Sequence, residues 1–219
     1  MIALALFFMT TTFANSKQLL IVITPDWQSH QATLYQFART EKSIWKSAGP
    51  AISVVVGKNG LGWGQGLHRN KPLPDDPIKR EGDGKAPAGI YSLGTSFGYG
   101  PPLASWSIPF LRSTSDHLCV DDGASLYYNQ IIDRKSVSKM DWKSAEDMRR
   151  QDQLYKYGLV INHNTSPVTK GSGSCIFMHI WRSQQEGTAG CTAMEESDLI
   201  KLLTWLDPAS TPRLVQLTR

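Results

Sequence analysis

Apolar positions along this chain gather in short runs bounded by turn residues, and only one segment shows a clear helical stripe. "LLIVIT" (19–24) is continuously apolar, and "TLYQFAR" (33–39) alternates with Tyr35 and Phe37 on one side. "AISVVVG" (51–57), "YGLVIN" (157–162), "CIFMHI" (175–180) and "RLVQL" (213–217) complete the set. Runs of this kind predict strands. Two segments read as helices. "DWKSAEDMRRQDQ" (141–153) places Asp147 three residues after Ser144, a capping arrangement with Asp in the usual Glu place. "EESDLIKLLTWLDP" (195–208) opens on acids, repeats Leu199, Leu202, Leu203 and Leu206, and ends at Pro208. The pattern predicts one predominantly β domain with a few peripheral α-helices.

The glycine-rich stretches change this picture little. "GKNGLGWGQG" (57–66) holds too many glycines to stay regular, and its spacing is not G-x-G-x-x-G. "GDGKAP" has Ala86 where a phosphate loop needs a hydroxyl. Neither supports a nucleotide site. "KREGDGKAPAGIYSLG" (79–94) reads as a polar turn leading into a strand. Residues 97–115 are rich in loop signals, and 119–122 read as a strand end or loop.

Composition adds bounds. The chain has 219 residues, enough for one domain with a sizeable core. Hydrophobic content of 41% against 19% charged excludes a disordered chain. A net charge of +4, with no run of Lys and Arg, gives no reason to expect a nucleic-acid partner. The start, "MIALALFFMTTTFANSKQ", has an apolar run at 2–9 and small residues Ala14 and Ser16 in a small-x-small arrangement. It predicts a signal peptide over 1–16, export, and a mature domain over 17–219, although no basic residue precedes the run. The competing reading is a buried first strand. The run is too short to span a bilayer, and no other stretch approaches that length, so no membrane span is expected in the mature chain. Export means an oxidising compartment. A disulfide between Cys119 and Cys175 would leave Cys191 free; the alternative is three reduced thiols with Cys119 and Cys175 buried. The sequence leaves both open.

Chemistry concentrates in "FMHIWRSQQEGTAGCTAM" (177–194). A cysteine nucleophile needs a base for its proton, donors for the oxyanion, and slim backbone around the sulfur. Gly187, Ala189 and Gly190 supply the slim loop, the amides of Gly190 and Cys191 are oxyanion candidates, and His179 is the candidate base. The acidic helix beyond Glu195 would favour a thiolate if its N-terminus faced the sulfur. The plainer alternative is a structural cysteine in a small-residue loop and a core histidine on a strand. Two other chemistries are weaker. His163, His179 and Cys191 offer zinc-type ligands without C-x-x-C or H-x-x-x-H spacing. "GTSFG" (94–98) fits G-x-S-x-G around Ser96, but Pro101 and Pro102 oppose the helix a nucleophile elbow requires.

His179 followed by Thr188-Ala189-Gly190-Cys191 resembles the signature of the L,D-transpeptidases with a YkuD-like catalytic domain. Upstream, "KAPAGIY" (85–91) resembles that family's T-P-x-G-x-[FY] segment, with Ala86 in the Thr place. "CVDDGASLYYNQIID" (119–133), "WKSAEDM" and "SGSCIFMHIW" resemble a divergent branch. The similarity runs from about Ile52 to Leu206. Ala189 stands where many members have His, Ala193 where many have Arg, and Ile180-Trp181 where many have Gly-Thr or Gly-Ser. Arg182, near His179, offers a guanidinium in place of the lost Arg to grip a carboxylate.

The resemblance implies a YkuD-like β-sandwich or barrel in the periplasm or cell envelope, acting on peptidoglycan stem peptides. Cys191 would attack a tetrapeptide stem and release its terminal D-alanine, with His179 handling the proton. Gly190 would serve the oxyanion and Thr188 would shape the loop. An amine would resolve the acyl-enzyme by transpeptidation; water would make the protein an L,D-carboxypeptidase. The scheme needs no metal or organic cofactor. Asp121 and Asp122 would take the amino group of a stem peptide, and His163 with Asn164 would face the same cleft. A non-catalytic envelope-binding module on the same fold is the alternative from a different class.

Overall fold

The run "LLIVIT" becomes strand β1 (Gln18–Thr24), in which every second residue from Gln18 onward is buried. This computed structural model describes residues 12–41, 43–69 and 71–219. Most of the expected signal peptide, residues 1–11, lies outside them. The other strands are β2 (Gln31–Arg39), β3 (Trp45–Ser47), β4 (Ile52–Val55), β5 (Leu61–Trp63), β6 (Ala86–Gly98) and β7 (Phe110–Arg112). They continue with β8 (His117–Val120), β9 (Ile131–Asp133), β10 (Ala145–Asp147), β11 (Gly158–Ile161), β12 (Phe177–Ile180), β13 (Thr192–Met194) and β14 (Arg213–Thr218). Among the described residues strand accounts for 35% and helix for 8%, so the predominantly β expectation holds.

The strands close on themselves. β1 pairs with β14, and the path continues through β6, β11, β12, β13 and β4 to β2, which pairs back to β1. Closure removes free edges and encloses a core. Leu20, Val22, Leu34, Val54, Leu159 and Met178 fill it, all at most 1% exposed. Helix α1 (Glu196–Trp205) adds Leu199, Leu202 and Leu203 to the same core. Its first turn is capped by Glu195, whose carboxylate accepts the Ser197 amide. The stripe that predicted this helix is the face it buries.

β12 is covered on both sides, which explains why "CIFMHI" is continuously apolar apart from one histidine. Met178 and Ile180 point into the barrel core. Phe177 points the other way, into a second cluster with Phe97, Met148, Tyr155 and Cys191. A separate sheet in the order β10-β8-β9 contributes Cys119 and covers that outer side. The disulfide Cys119–Cys175 joins the small sheet to the chain just ahead of β12, and Cys191 is the free cysteine. This decides between the two cysteine readings.

The predicted helix over 141–153 is absent. Residues 145–147 form β10, antiparallel to β8 with Glu146 opposite Cys119. Met148 is the one fully buried residue of the segment, so a helix there would have no apolar face to dock. Its polar groups are spent otherwise: Asp141 accepts from Ser125 and Leu126, and Asp152 grips Arg150. Ser96 lies fully buried within β6, its hydroxyl donating to the Pro109 carbonyl, so it presents no nucleophile.

Candidate active site

β12 and β13 run parallel, with Met178 opposite Thr192 and His179 opposite Ala193. Residues facing each other across a ladder share a side of the sheet, and the side alternates along each strand. One step back along both strands puts Cys191 beside Phe177, on the side His179 occupies. The Phe177 amide accordingly donates to Cys191 Sγ at 3.3 Å. Cys191 and His179 line one cavity of about 450 Å³ and are each 6% exposed.

The loop before Cys191 is braced from two directions. The Thr188 amide donates to the Val56 carbonyl, and the Lys58 amide donates back to the Thr188 carbonyl, at 2.9 and 2.8 Å. A side chain at Gly187 would meet the Lys58 backbone at 2.5 Å, so this contact requires glycine. Inside the loop, Thr188 Oγ1 donates to the Cys191 carbonyl at 2.6 Å and accepts the Gly190 amide at 3.1 Å. Thr188 is thus a brace for the loop that carries Cys191. The Gly190 amide, expected to serve an oxyanion, is engaged with Thr188.

Protonation follows from burial. Burial pushes the Cys191 thiol up to about 12, with the Glu146 charge adding to it. The thiol hydrogen is directed to the Cys175 carbonyl, 3.6 Å from Sγ. Burial pushes His179 down to about 4. Its Nδ1 lies 2.7 Å from the Ile180 carbonyl oxygen, which only accepts, so Nδ1 carries the hydrogen and Nε2 keeps its lone pair. The resting pair is a neutral thiol and a neutral imidazole. The helix dipole does not alter this. Extended β13 carries the chain about 13 Å from Cys191 before α1 begins, and the leucines of α1 pack in the barrel core.

Residues 22–215 match the family model of the L,D-transpeptidase catalytic domain, YkuD. The chain belongs to this family. Comparison with curated proteins and with solved structures found no match. In this L,D-transpeptidase domain, the match runs from the end of β1 to the start of β14, the strands that close the barrel, and takes in Cys191 and His179.

The remaining expected site residues separate. Arg182 lines the cavity, exposed and paired with Glu186 at 2.9 Å. Asp122 does not reach the cavity: its carboxylate accepts the amides of Ala124 and Lys143 and braces a turn. His163 is also elsewhere. Its Nδ1 accepts the Gln65 amide at 3.2 Å and its Nε2 donates to the Ser172 carbonyl at 2.9 Å, so both nitrogens are spent on loops. Asn164 is likewise occupied with Thr169 and Gly173. His163 therefore cannot join His179 and Cys191 around zinc. Among the described residues, no group of three or more His, Cys, Asp or Glu is arranged to hold a metal ion.

Four residues of this cavity were not singled out as its chemistry by sequence: Glu81, Glu146, Arg150 and Tyr155. Tyr155 is 5% exposed, stands edge-on to His179 at 5.2 Å between ring centres, and donates to Glu146 at 2.6 Å. Arg150 lies over the Tyr155 ring and is held bidentately by Asp152. Burial, then the charges of Asp121 and Glu81, raise the Glu146 carboxyl, against the Tyr155 hydrogen bond. Glu146, Arg150 and Tyr155 fall in a segment without apolar periodicity and Glu81 in the polar turn ahead of β6, so no pattern linked them.

Proposed function

We propose that this chain is an exported cysteine L,D-transpeptidase that works through a Cys191 thioester on peptidoglycan tetrapeptide stems. The observation that carries the reading is the placement of Cys191 and His179 on one side of adjacent parallel strands, lining one cavity. The Cys191 sulfur attacks the carbonyl of the diamino acid while its proton passes to Nε2 of His179. The amide C–N bond breaks as the C–S bond forms, and the proton goes from His179 to the departing D-alanine amine. Both groups start neutral, so proton transfer accompanies attack and no standing thiolate is needed. An amine then takes the acyl group, forming a crosslink or an attachment to the wall. Where water takes it, the same site trims stems as an L,D-carboxypeptidase.

Export is part of the proposal, with a leader over 1–16 and a catalytic domain over 17–219. The apolar run at 2–9 supports it, and so does the Cys119–Cys175 disulfide, a bond that persists in oxidising compartments. Among the described residues, no helix is long and apolar enough to cross a membrane. The test is incubation with a carbapenem followed by intact mass. A covalent adduct present in the wild type and missing in Cys191→Ala is the expected result. Product analysis on muropeptides then separates crosslinks from trimmed tripeptides. No adduct and no turnover would leave the envelope-binding module as the better description.

A further inference from the structure

The cavity holding Cys191 has charged walls of two kinds. Its cations are already neutralised by acids of their own: Lys79 by Asp83 at 2.5 Å, Arg150 by Asp152 at 2.7 Å and Arg182 by Glu186 at 2.9 Å. Its acids are not. Glu81, Asp121 and Glu146 all line the cavity, and among the described residues none of them forms an ion pair. Glu81 accepts hydroxyls of Tyr128 and Ser174, and Glu146 accepts the hydroxyl of Tyr155. Asp121 Oδ1 is buried with no hydrogen-bond partner at all. A buried carboxylate oxygen without a donor costs free energy unless something supplies one. The arrangement of these acids does not suit a metal ion.

The backbone fixes this wall relative to the nucleophile. Glu146 stands opposite Cys119 on β10 and β8, and so shares its side of the small sheet. Asp121 follows two residues after Cys119. Cys119 is bonded to Cys175, whose carbonyl accepts the Cys191 thiol. Glu146 and Cys191 are therefore tied through one strand register, one disulfide and one thiol hydrogen bond.

We infer that Glu146 is a specificity-determining residue of this site and, with Asp121 beside it, receives an ammonium group carried by the substrate. The inference rests on the acyl-enzyme reading above. An ammonium has three donors and no acceptor, which suits carboxylates whose present partners are a single hydroxyl or none. Its charge also offsets the carboxylates next to Cys191, so occupancy of the wall eases departure of the thiol proton. Two sources share this chemistry: the side-chain amine of the donor stem, and the amine of the acceptor.

The experiment uses the whole protein and two tetrapeptide donors differing only in the side-chain amine of the third residue, free in one and acetylated in the other. Acylation of Cys191 is followed by intact mass. The wild type should acylate about 10- to 100-fold faster from the free-amine donor, the range of a charge-assisted hydrogen bond. Glu146→Gln and Asp121→Asn should bring that ratio toward one. A ratio of one in the wild type, with faster thioester resolution by ethylenediamine than by a neutral-tailed amine that Glu146→Gln abolishes, assigns the ammonium to the acceptor and also supports the inference. Equal rates in both comparisons for the wild type overturn it, and that reading needs no variant to fold. So does discrimination that survives both substitutions. Failure of the parent reading looks different: no donor acylates Cys191, and the inference falls with it.

Discussion

The Nδ1 atom of His179 lies 2.7 Å from the carbonyl oxygen of Ile180, the next residue in the same strand. That bond assigns the tautomer and leaves Nε2 as the basic nitrogen. Burial holds the ring down to about 4, so the neutral base persists far below the usual histidine midpoint. The acylation rate should keep its neutral-pH value down to about pH 5 and fall as pH approaches 4. A fall centred near pH 6.5 would count against this state of His179. His179→Ala should lower the rate by about 10²- to 10⁴-fold, the span of general-base catalysis. Carbapenem acylation followed by mass over a pH series measures both.

Thr188 makes a second prediction because one hydroxyl does two jobs. It donates to the Cys191 carbonyl and accepts the Gly190 amide. Thr188→Val keeps the shape and deletes both bonds, so the loop holding Cys191 loosens. Acylation should slow about tenfold, in line with the loss of one or two hydrogen bonds. Thr188→Ser keeps the hydroxyl and should recover most of the rate. Equal rates for Val and Ser would show that the brace does not matter to the nucleophile.

The two halves of the site differ in how they could be read. The barrel strands were legible because each has a face against a large core, and the runs at 19–24, 51–57 and 213–217 record it. Cys191 and His179 stood out only once "KAPAGIY" (85–91) joined them in a family resemblance; the small-residue loop alone reads equally as a structural cysteine beside a core histidine. The wall opposite was not legible. Glu146 and Tyr155 sit in a segment where charged residues alternate with no apolar period, and the capping-like Ser144 and Asp147 suggested a helix. What organises that segment is a three-residue pairing with β8 and a disulfide far along the chain. Neither leaves a local trace. His163 was placed in the cleft by the resemblance and not by a local pattern, and its ring is instead held by backbone groups at Gln65 and Ser172.

The disulfide should matter to activity as well as stability. It closes a span of 56 residues between Cys119 and Cys175. Chain-entropy arguments give about 4 kcal/mol for a loop of that length. Replacing both cysteines with Ser should lower the denaturation free energy by an amount of that order. It should also slow acylation, since the Cys175 carbonyl orients the Cys191 thiol. Urea unfolding and carbapenem acylation of Cys119→Ser/Cys175→Ser check the two effects separately. A destabilised variant that acylates at the wild-type rate would refute the link to Cys191.

Acid should destabilise the fold in a window set by its buried histidines. His163 and His179 are each held down to about 4 by burial, against 6.5 for an ordinary histidine. Below pH 6.5 the unfolded chain takes up protons at these rings while the folded chain does not. Folded stability is then fully present above pH 6.5 and is lost as pH falls toward 4. The thermal midpoint should fall steadily across that range. His163→Gln tests the assignment, because a side-chain amide offers an acceptor for the Gln65 amide and a donor for the Ser172 carbonyl without titrating. Its midpoint should change less between pH 6.5 and 4 than that of the wild type. A variant with the full wild-type slope would show that His163 is not one of the groups responsible.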